Sequence, residues 1–167
     1  MQVSHKETVV TRRWALILYL TLAGLILLSI LIRGFLIGTT LFAGAAWGRN
    51  AHGLLGTLLA LLTLLLPLAG LLARLPGRIT ILSVVLFVLT LIQVILAGLG
   101  KSAPFLAALH PANAMLMFGL TLFLISQGWR VMQTGKGGFI MKQPQAMPTF
   151  IRDKVARQAR SLVRLEG

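Results

Sequence analysis

Two histidines, His52 and His110, are the side chains in this sequence whose types and positions best suit chemistry. Each stands at the start of a long apolar run, 53–72 and 111–125, that contains no charged side chain. Imidazole nitrogen is a frequent metal ligand and a common axial ligand of heme iron. Two imidazoles at one depth therefore suggest a ligand pair for a metal macrocycle.

The composition predicts the kind of scaffold that holds these histidines. Of the 167 residues, 57% are hydrophobic and only 11% are charged, which is typical of integral membrane proteins. A bilayer core about 30 Å thick needs roughly 20 apolar residues in a helix. Segments 14–37, 52–72, 79–99 and about 106–131 are long enough and lack the alternation of strands. We therefore predict an all-α, integral membrane four-helix bundle made of two tandem helical hairpins.

The positive charges predict how this bundle is oriented. Most cations precede the first segment, lie in the second loop or follow the fourth segment, whereas Arg49 and Lys101 are the only cations in the two opposite loops. The positive-inside rule then assigns both termini to the cytoplasmic side of the membrane, predicted to be a bacterial plasma membrane, and both histidines to its outer side. A cleaved signal peptide is the alternative for the N-terminus, but the apolar stretch 14–32 exceeds a signal core of about 7–15 residues.

A faint internal repeat relates the first hairpin to the second. The pairs in register are Arg33 with Gln93, Gly38 with Gly98, His52 with His110, Gly56 with Ala114, and Thr63 with Thr121. The positions that follow each histidine share one helical face. The repeat predicts that the second and fourth helices are symmetry mates, each with a histidine near its outer end.

This arrangement suits a flat ligand between the two helices. Gly56 and Ala114 would leave room for a porphyrin plane one turn below the histidines, and Arg33, Arg49 or Lys101 could pair with its propionates. The alternatives are histidines that lie in the headgroup region without a cofactor and small residues that serve close helix packing. Arg33 is alternatively an interfacial anchor that extends toward the membrane surface.

Short motifs give the bundle a family resemblance. The run Gln93-Val-Ile-Leu-Ala-Gly98, a short outer loop and then Leu109-His110 resemble one hairpin of heme A synthase, and residues 14–131 resemble one four-helix half of that enzyme. The resemblance implies heme b held by His52 and His110. The same glutamine-glycine and histidine pattern is similar to that of small uncharacterised four-helix bacterial membrane proteins. The candidate metal ligands are His52 and His110, and the other candidate cofactor-binding residues are Gly56, Ala114, Arg33, Arg49 and Gln93.

The departures from that family argue against catalysis. Arg49 stands where the catalytic half of heme A synthase carries a glutamate, three residues before the first histidine, and the chain has no cysteine for the outer-loop pair of many members. The three acidic residues, Glu7, Asp153 and Glu166, lie outside the membrane segments, so a proton-coupled exporter or a carboxylate-based hydrolase lacks its acid. We predict no catalytic residues.

The chain divides by composition into four regions: an N-terminal arm (1–13), the bundle (14–132), a linker (133–148) and a basic amphipathic tail (149–167). The tail suits an anionic inner-leaflet surface, and docking to a larger membrane complex is the alternative. Its basic residues do not indicate nucleic-acid binding.

Three functional hypotheses follow for the bundle. The first is a small b-type heme protein for electron transfer or heme handling, either alone or as a homodimer. The second is a cofactor-free structural or assembly subunit of a larger membrane complex. The third is a chlorophyll-type pigment-binding subunit that uses one histidine as the magnesium ligand.

Overall fold

The computed structural model of the chain describes the backbone of residues 3–136 and the side chains of residues 12–134. All secondary structure in the described part is helical: α1 (Val3–Ala43), α2 (Ala46–Leu72), α3 (Gly77–Gly98), the short α4 (Pro104–Ala107) and α5 (Leu109–Lys136). The all-α prediction is therefore confirmed for these residues. Most of the predicted linker and the whole basic tail lie outside the described residues.

Four stretches of these helices are long and apolar enough to cross a membrane: Arg12–Ala43, Ala46–Leu72, Gly77–Gly98 and Pro104–Thr134. Many of their large apolar side chains face away from the bundle, among them Leu54, Ile81 and Leu116. Apolar outer surfaces of this extent are typical of helices that contact lipid. The four helices indicate a multi-pass membrane protein.

The turn of the first hairpin is shorter than the apolar runs predict, because α1 ends later and α2 begins earlier. Gly44 has a φ of 66°, a conformation that glycine adopts without steric cost, so only Gly44 and Ala45 separate the two helices. As a result His52 lies nearly two turns inside α2 instead of at its start. Arg33 is followed by ten more residues of α1, about 15 Å of helix, so it lies well inside the helix.

The two hairpins bury equivalent positions, as the internal repeat predicts. The matched pairs with little or no solvent exposure are Ala23 with Ser83, Ile26 with Leu86, Leu59 with Met117, Thr63 with Thr121, and Leu66 with Leu124. These residues form the centre of the bundle between α1, α2, α3 and α5. The repeat is therefore expressed in the packing of the core as well as in the sequence.

The two threonines of the repeat bond within their own helices. Thr63 donates its hydroxyl proton to the carbonyl oxygen of Ala60 at 3.1 Å, and Thr121 donates to that of Met117 at 2.7 Å. Such bonds satisfy a buried hydroxyl inside an apolar bundle. In both helices the acceptor lies about one turn earlier in the chain.

Tyr19 lies in the half of the bundle that is farther from the histidines. Its ring lies against Gly70 of α2 and Gly128 of α5, which are equivalent positions of the repeat, and added Cβ atoms there would lie 3.5 Å and 3.3 Å from the ring. Its hydroxyl is 3.0 Å from the hydroxyl of Ser83 in α3. One aromatic side chain thus packs against the other three long helices. We call the opposite end, where α1 meets α2, the histidine end.

Gly48 sets the distance between α1 and α2 at the histidine end. It is buried, and a Cβ atom added there would lie 2.5 Å from the carbonyl oxygen of Leu36 and 2.5 Å from the hydroxyl oxygen of Thr39. The first of these atoms belongs to the helix backbone and cannot move by a simple side-chain rotation. The close approach therefore requires glycine.

A Gly48→Ala substitution is expected to push α2 away from α1 and to lower the free energy of unfolding by about 1–3 kcal/mol. Thermal unfolding in mild detergent measures this loss. Gly53→Ala is the matched control in the same helix, because a Cβ atom there meets nothing within 4 Å. We expect the control to be neutral or slightly stabilising, by up to about 1 kcal/mol. Equal midpoints for the two variants would show that the close approach at Gly48 is unimportant.

Candidate bis-histidine site

His52 and His110 are held by equivalent backbone contacts in the two hairpins. The Nδ1 atom of His52 is 3.0 Å from the carbonyl oxygen of Arg33 in α1, and Nδ1 of His110 is 3.2 Å from that of Gln93 in α3. Because a carbonyl oxygen only accepts, Nδ1 carries the proton and donates it in both rings. In the neutral imidazole this leaves Nε2 unprotonated and able to accept, the arrangement that metal-ligating histidines commonly use.

The two rings lie close together across the bundle. Their centroids are 6.2 Å apart and their planes are tilted by 42°. The histidines come from α2 and α5, which the repeat relates, and each is anchored to the helix that precedes it in its own hairpin. The sequence predicts that the two imidazoles lie at one depth, and in the structure they lie close together.

Arg33 contributes both its backbone and its side chain to this site. Its guanidinium donates from Nη2 to Nε2 of His52 at 3.1 Å, while its carbonyl oxygen accepts from the same ring. The side chain thus stays at the level of its own backbone and does not extend toward the end of the helix. The interpretation of Arg33 as an interfacial anchor is wrong for this geometry. Its Nε atom is buried and has no hydrogen-bond partner among the described residues.

Gly56 makes room for Arg33. A Cβ atom added at Gly56 would lie 3.1 Å from Nη2 of Arg33 and 3.2 Å from its Cζ atom. The small residue one turn below His52 therefore accommodates a guanidinium in this structure, where the sequence suggested space for a flat ligand. Its counterpart Ala114 does line the cavity between the hairpins.

Gln93 and Asn113 form a buried polar pair beside His110. Gln93 donates from Nε2 to the carbonyl oxygen of His110 at 3.0 Å, and its Oε1 atom accepts from Nδ2 of Asn113 at 2.6 Å. Asn113 also donates to the carbonyl oxygen of Leu89 at 2.9 Å. Sequence reasoning missed Asn113, although an amide one turn after a histidine in an otherwise apolar run is an available signal.

A cavity of about 170 Å³ lies beside the two histidines. Its polar lining comes from Arg33, His52, Gln93 and His110, and the remainder is mostly apolar. The residues with apolar side chains, or none, on its wall are Ile30, Gly34, Ile37, Leu59, Pro111, Ala114 and Met117. The cavity therefore brings together five of the seven candidate site residues. Gly56 lies behind Arg33, and Arg49 is exposed and is not part of the lining.

The donor set restricts what the cavity could hold. No group of three or more His, Cys, Asp or Glu side chains that could hold a metal ion occurs in the part of the chain that the structure describes. Residues 12–134 contain no acidic residue at all. Two imidazoles therefore suit an ion whose remaining ligand positions are supplied by a macrocycle, and they do not suit a site built from side chains alone.

One family model matches part of the chain. It is described as a family of unknown function (DUF6220) and covers residues 34–101, which include His52 and Gln93 but not His110. No curated protein and no solved structure matches the chain. These comparisons show similarity to a family without an assigned activity and no relationship to heme A synthase, so that resemblance remains a prediction from the motifs.

Proposed function

We propose that this chain is a small membrane protein that binds heme b between His52 and His110 and serves in electron transfer or heme handling. The spacing of the two rings carries the proposal. An imidazole nitrogen binds a metal at about 2 Å, so two imidazoles can share one ion only if their rings lie within several ångströms of each other. The centroids of the two rings are 6.2 Å apart.

The hydrogen bonds of the two rings also favour this function. Each Nδ1–H donates to a backbone carbonyl oxygen of the preceding long helix, which fixes the ring and leaves Nε2 unprotonated, as a metal ligand must be. A half-buried imidazole held in this way gains a metal bond in place of hydrogen bonds that it loses from water. The equivalence of the two contacts matches a ligand that uses both rings alike.

The volume of the cavity sets a condition on binding. Its size of about 170 Å³ is below the roughly 300–1,000 Å³ of typical ligand pockets, and Nη2 of Arg33 lies 3.1 Å from the His52 nitrogen that a metal would use. Binding of a porphyrin therefore requires Arg33 to leave His52 and the side chains that line the cavity to move aside, while the two imidazoles stay within reach of one ion. Tyr19 continues to hold the two hairpins together at the other end.

The bound heme would supply one-electron redox chemistry, and the protein would hold and shield it. His52 and His110 would both hold the iron, which favours electron transfer over reactions of a bound small molecule. Ala114, Leu59 and Met117 line the cavity with apolar atoms and would exclude water from the ring faces. Since residues 12–134 contain no acidic side chain, we assign no proton-transfer step to the bundle.

Absorption spectroscopy of the purified protein tests this proposal. The full chain, purified in mild detergent and titrated with ferric protoporphyrin IX, is expected to give a Soret band that saturates at one heme per chain. Reduction with dithionite should then produce a sharp α-band. A titration that shows only weak, unsaturable uptake, equal to that of detergent micelles, would contradict the proposal.

A cofactor-free structural or assembly subunit is the second candidate, and the polar contacts of the cavity wall favour it. Arg33 already bonds to His52, and Gln93 already links His110 to Asn113. Buried polar networks of this kind can fix the pairing of helices in a bundle. This candidate predicts a colourless protein whose His52→Leu and His110→Leu variants lose stability without any change in porphyrin uptake.

We further propose that both termini are cytoplasmic and that the histidine end faces the outside of a bacterial plasma membrane. Arg12 and Arg13 lie at the start of the apolar stretch of α1, and Arg74 and Arg78 lie around the α2–α3 turn. All four are exposed at the end opposite the histidines. This distribution follows the positive-inside rule. The tail beyond the described residues would add further cations at the inner leaflet.

Cysteine labelling in intact cells tests this topology without background, because the chain has no cysteine of its own. Ser102→Cys, at an exposed position of the α3–α4 loop, is expected to react with a membrane-impermeant maleimide in intact cells. Arg78→Cys, at the opposite end, should react only after lysis. The reverse pattern would invert the proposed orientation and would place the heme site on the cytoplasmic side.

A further inference from the structure

Arg33 carries a charge that the described part of the protein does not neutralise. Its guanidinium bonds to His52, a neutral partner, and its Nε–H has no acceptor among the described residues. Residues 12–134 contain no aspartate or glutamate. A cation within an apolar bundle is costly and is normally paired.

The surroundings of this guanidinium contain space for a partner. Arg33 lines the cavity of about 170 Å³ together with Gln93, whose amide nitrogen already donates to the carbonyl oxygen of His110. The planar guanidinium matches the two oxygens of a carboxylate, which it binds through parallel N–H bonds. Rotation of the Arg33 side chain away from His52 would make Nη2 and Nε available together for such a contact.

We propose that this cavity binds an anionic group of the carboxylate class, which pairs with Arg33. The group can be a separate small carboxylate, or it can be a carboxylate carried by a larger ligand of the same cavity. The inference goes beyond heme binding, because the unneutralised guanidinium favours an anion whether or not a porphyrin enters. A separate carboxylate would bind without porphyrin, whereas a carboxylate of a larger ligand would change the affinity for that ligand. Two experiments distinguish these sources.

The first experiment titrates the protein without porphyrin. Sodium formate replaces sodium chloride at constant ionic strength, and thermal unfolding is followed in mild detergent. The midpoint of the wild-type chain is expected to rise with formate and to saturate, because a ligand that binds the folded state stabilises it. Arg33→Gln should give no rise, whereas Arg49→Gln, which removes an exposed cation one turn before His52, should behave as the wild type does.

An Arg33→Lys variant is the control for a possible folding defect of Arg33→Gln. It keeps the positive charge but loses the planar fork, so it should fold and should bind formate about tenfold more weakly than the wild type. If Arg33→Gln proves unstable, the comparison of Arg33→Lys with Arg49→Gln still decides the matter. Equal formate affinity in these two variants would contradict the proposed contact between formate and the planar guanidinium of Arg33.

The second experiment compares two porphyrins that differ only in their carboxylates. Ferric protoporphyrin IX and its dimethyl ester are titrated into the wild type and into Arg33→Gln, and uptake is followed by the Soret band. A carboxylate on the ligand predicts that the wild type prefers the free acid about tenfold or more and that Arg33→Gln loses this preference.

The combined outcomes identify the source of the carboxylate or exclude a carboxylate partner for Arg33. A formate response that depends on Arg33, without a porphyrin preference, assigns a separate small anion, and an Arg33-dependent porphyrin preference alone assigns a carboxylate of the ligand. If neither response depends on Arg33, the inference is wrong. If no porphyrin binds at all, heme binding fails while the formate titration still decides this inference.

Discussion

A chain that carries His110→Leu or His52→Leu is expected to lose at least about 100-fold in its affinity for ferric protoporphyrin IX. Removal of groups that merely orient a metal ligand costs about 10- to 100-fold, so removal of a ligand itself should cost no less. The two substitutions should have similar effects, because the two rings are held by equivalent carbonyl contacts in the two hairpins. Soret titration of each variant in mild detergent measures the loss.

His5→Leu is the control for this experiment, because His5 is the third histidine of the chain and precedes the first apolar segment. It is expected to bind as the wild type does. A large loss in only one of the two bundle variants would contradict shared ligation and would favour a site with a single axial histidine, such as that of a magnesium pigment. Unchanged binding in both would remove the histidines from the site.

Filling the cavity from α5 is expected to have the second large effect. Ala114 lines the cavity between the hairpins, and an Ala114→Phe ring would occupy space that a porphyrin needs beside the two imidazoles. We expect heme uptake to fall below detection by Soret titration. The unfolding free energy should change by no more than about 1–3 kcal/mol, since an added ring both fills a cavity and strains its wall.

Ala112→Phe is the matched control, because Ala112 lies on the same helix two residues earlier and is exposed. This variant should bind heme as the wild type does. If Ala114→Phe binds heme with unchanged affinity and spectrum, the porphyrin lies elsewhere and the proposed site is wrong. If both variants fail to bind, general disturbance of α5 is the cause, and thermal unfolding of the two proteins will reveal it.

The sequence predicts the helices and the histidine pair well, because both depend on local patterns. Long apolar runs require helices in a bilayer. The repeat relates His52 to His110 through polar and small residues, which are recognisable among the many leucines. The buried pairs of the two hairpins follow the same register. These features need no knowledge of which helix faces which.

The role of Arg33 could not be predicted in this way. A rule that sends a long cationic side chain toward water considers one helix by itself, whereas the observed contact depends on His52 of the neighbouring helix. Nor could the sequence tell whether Gly56 accommodates a ligand or a side chain, because a small residue leaves room for either. The late turn at Gly44, which places His52 deeper in α2 than the apolar run suggests, depends on a single left-handed residue.

Low-temperature electron paramagnetic resonance of the ferric, heme-loaded protein tests most directly whether His52 and His110 ligate the same ion. The proposed geometry predicts a low-spin ferric signal in the wild type, because two imidazole ligands give a strong axial field, and a high-spin signal in any residual heme bound by His52→Leu or His110→Leu. A high-spin signal in the wild type, or a low-spin signal that persists unchanged in either variant, would contradict shared ligation by the two histidines.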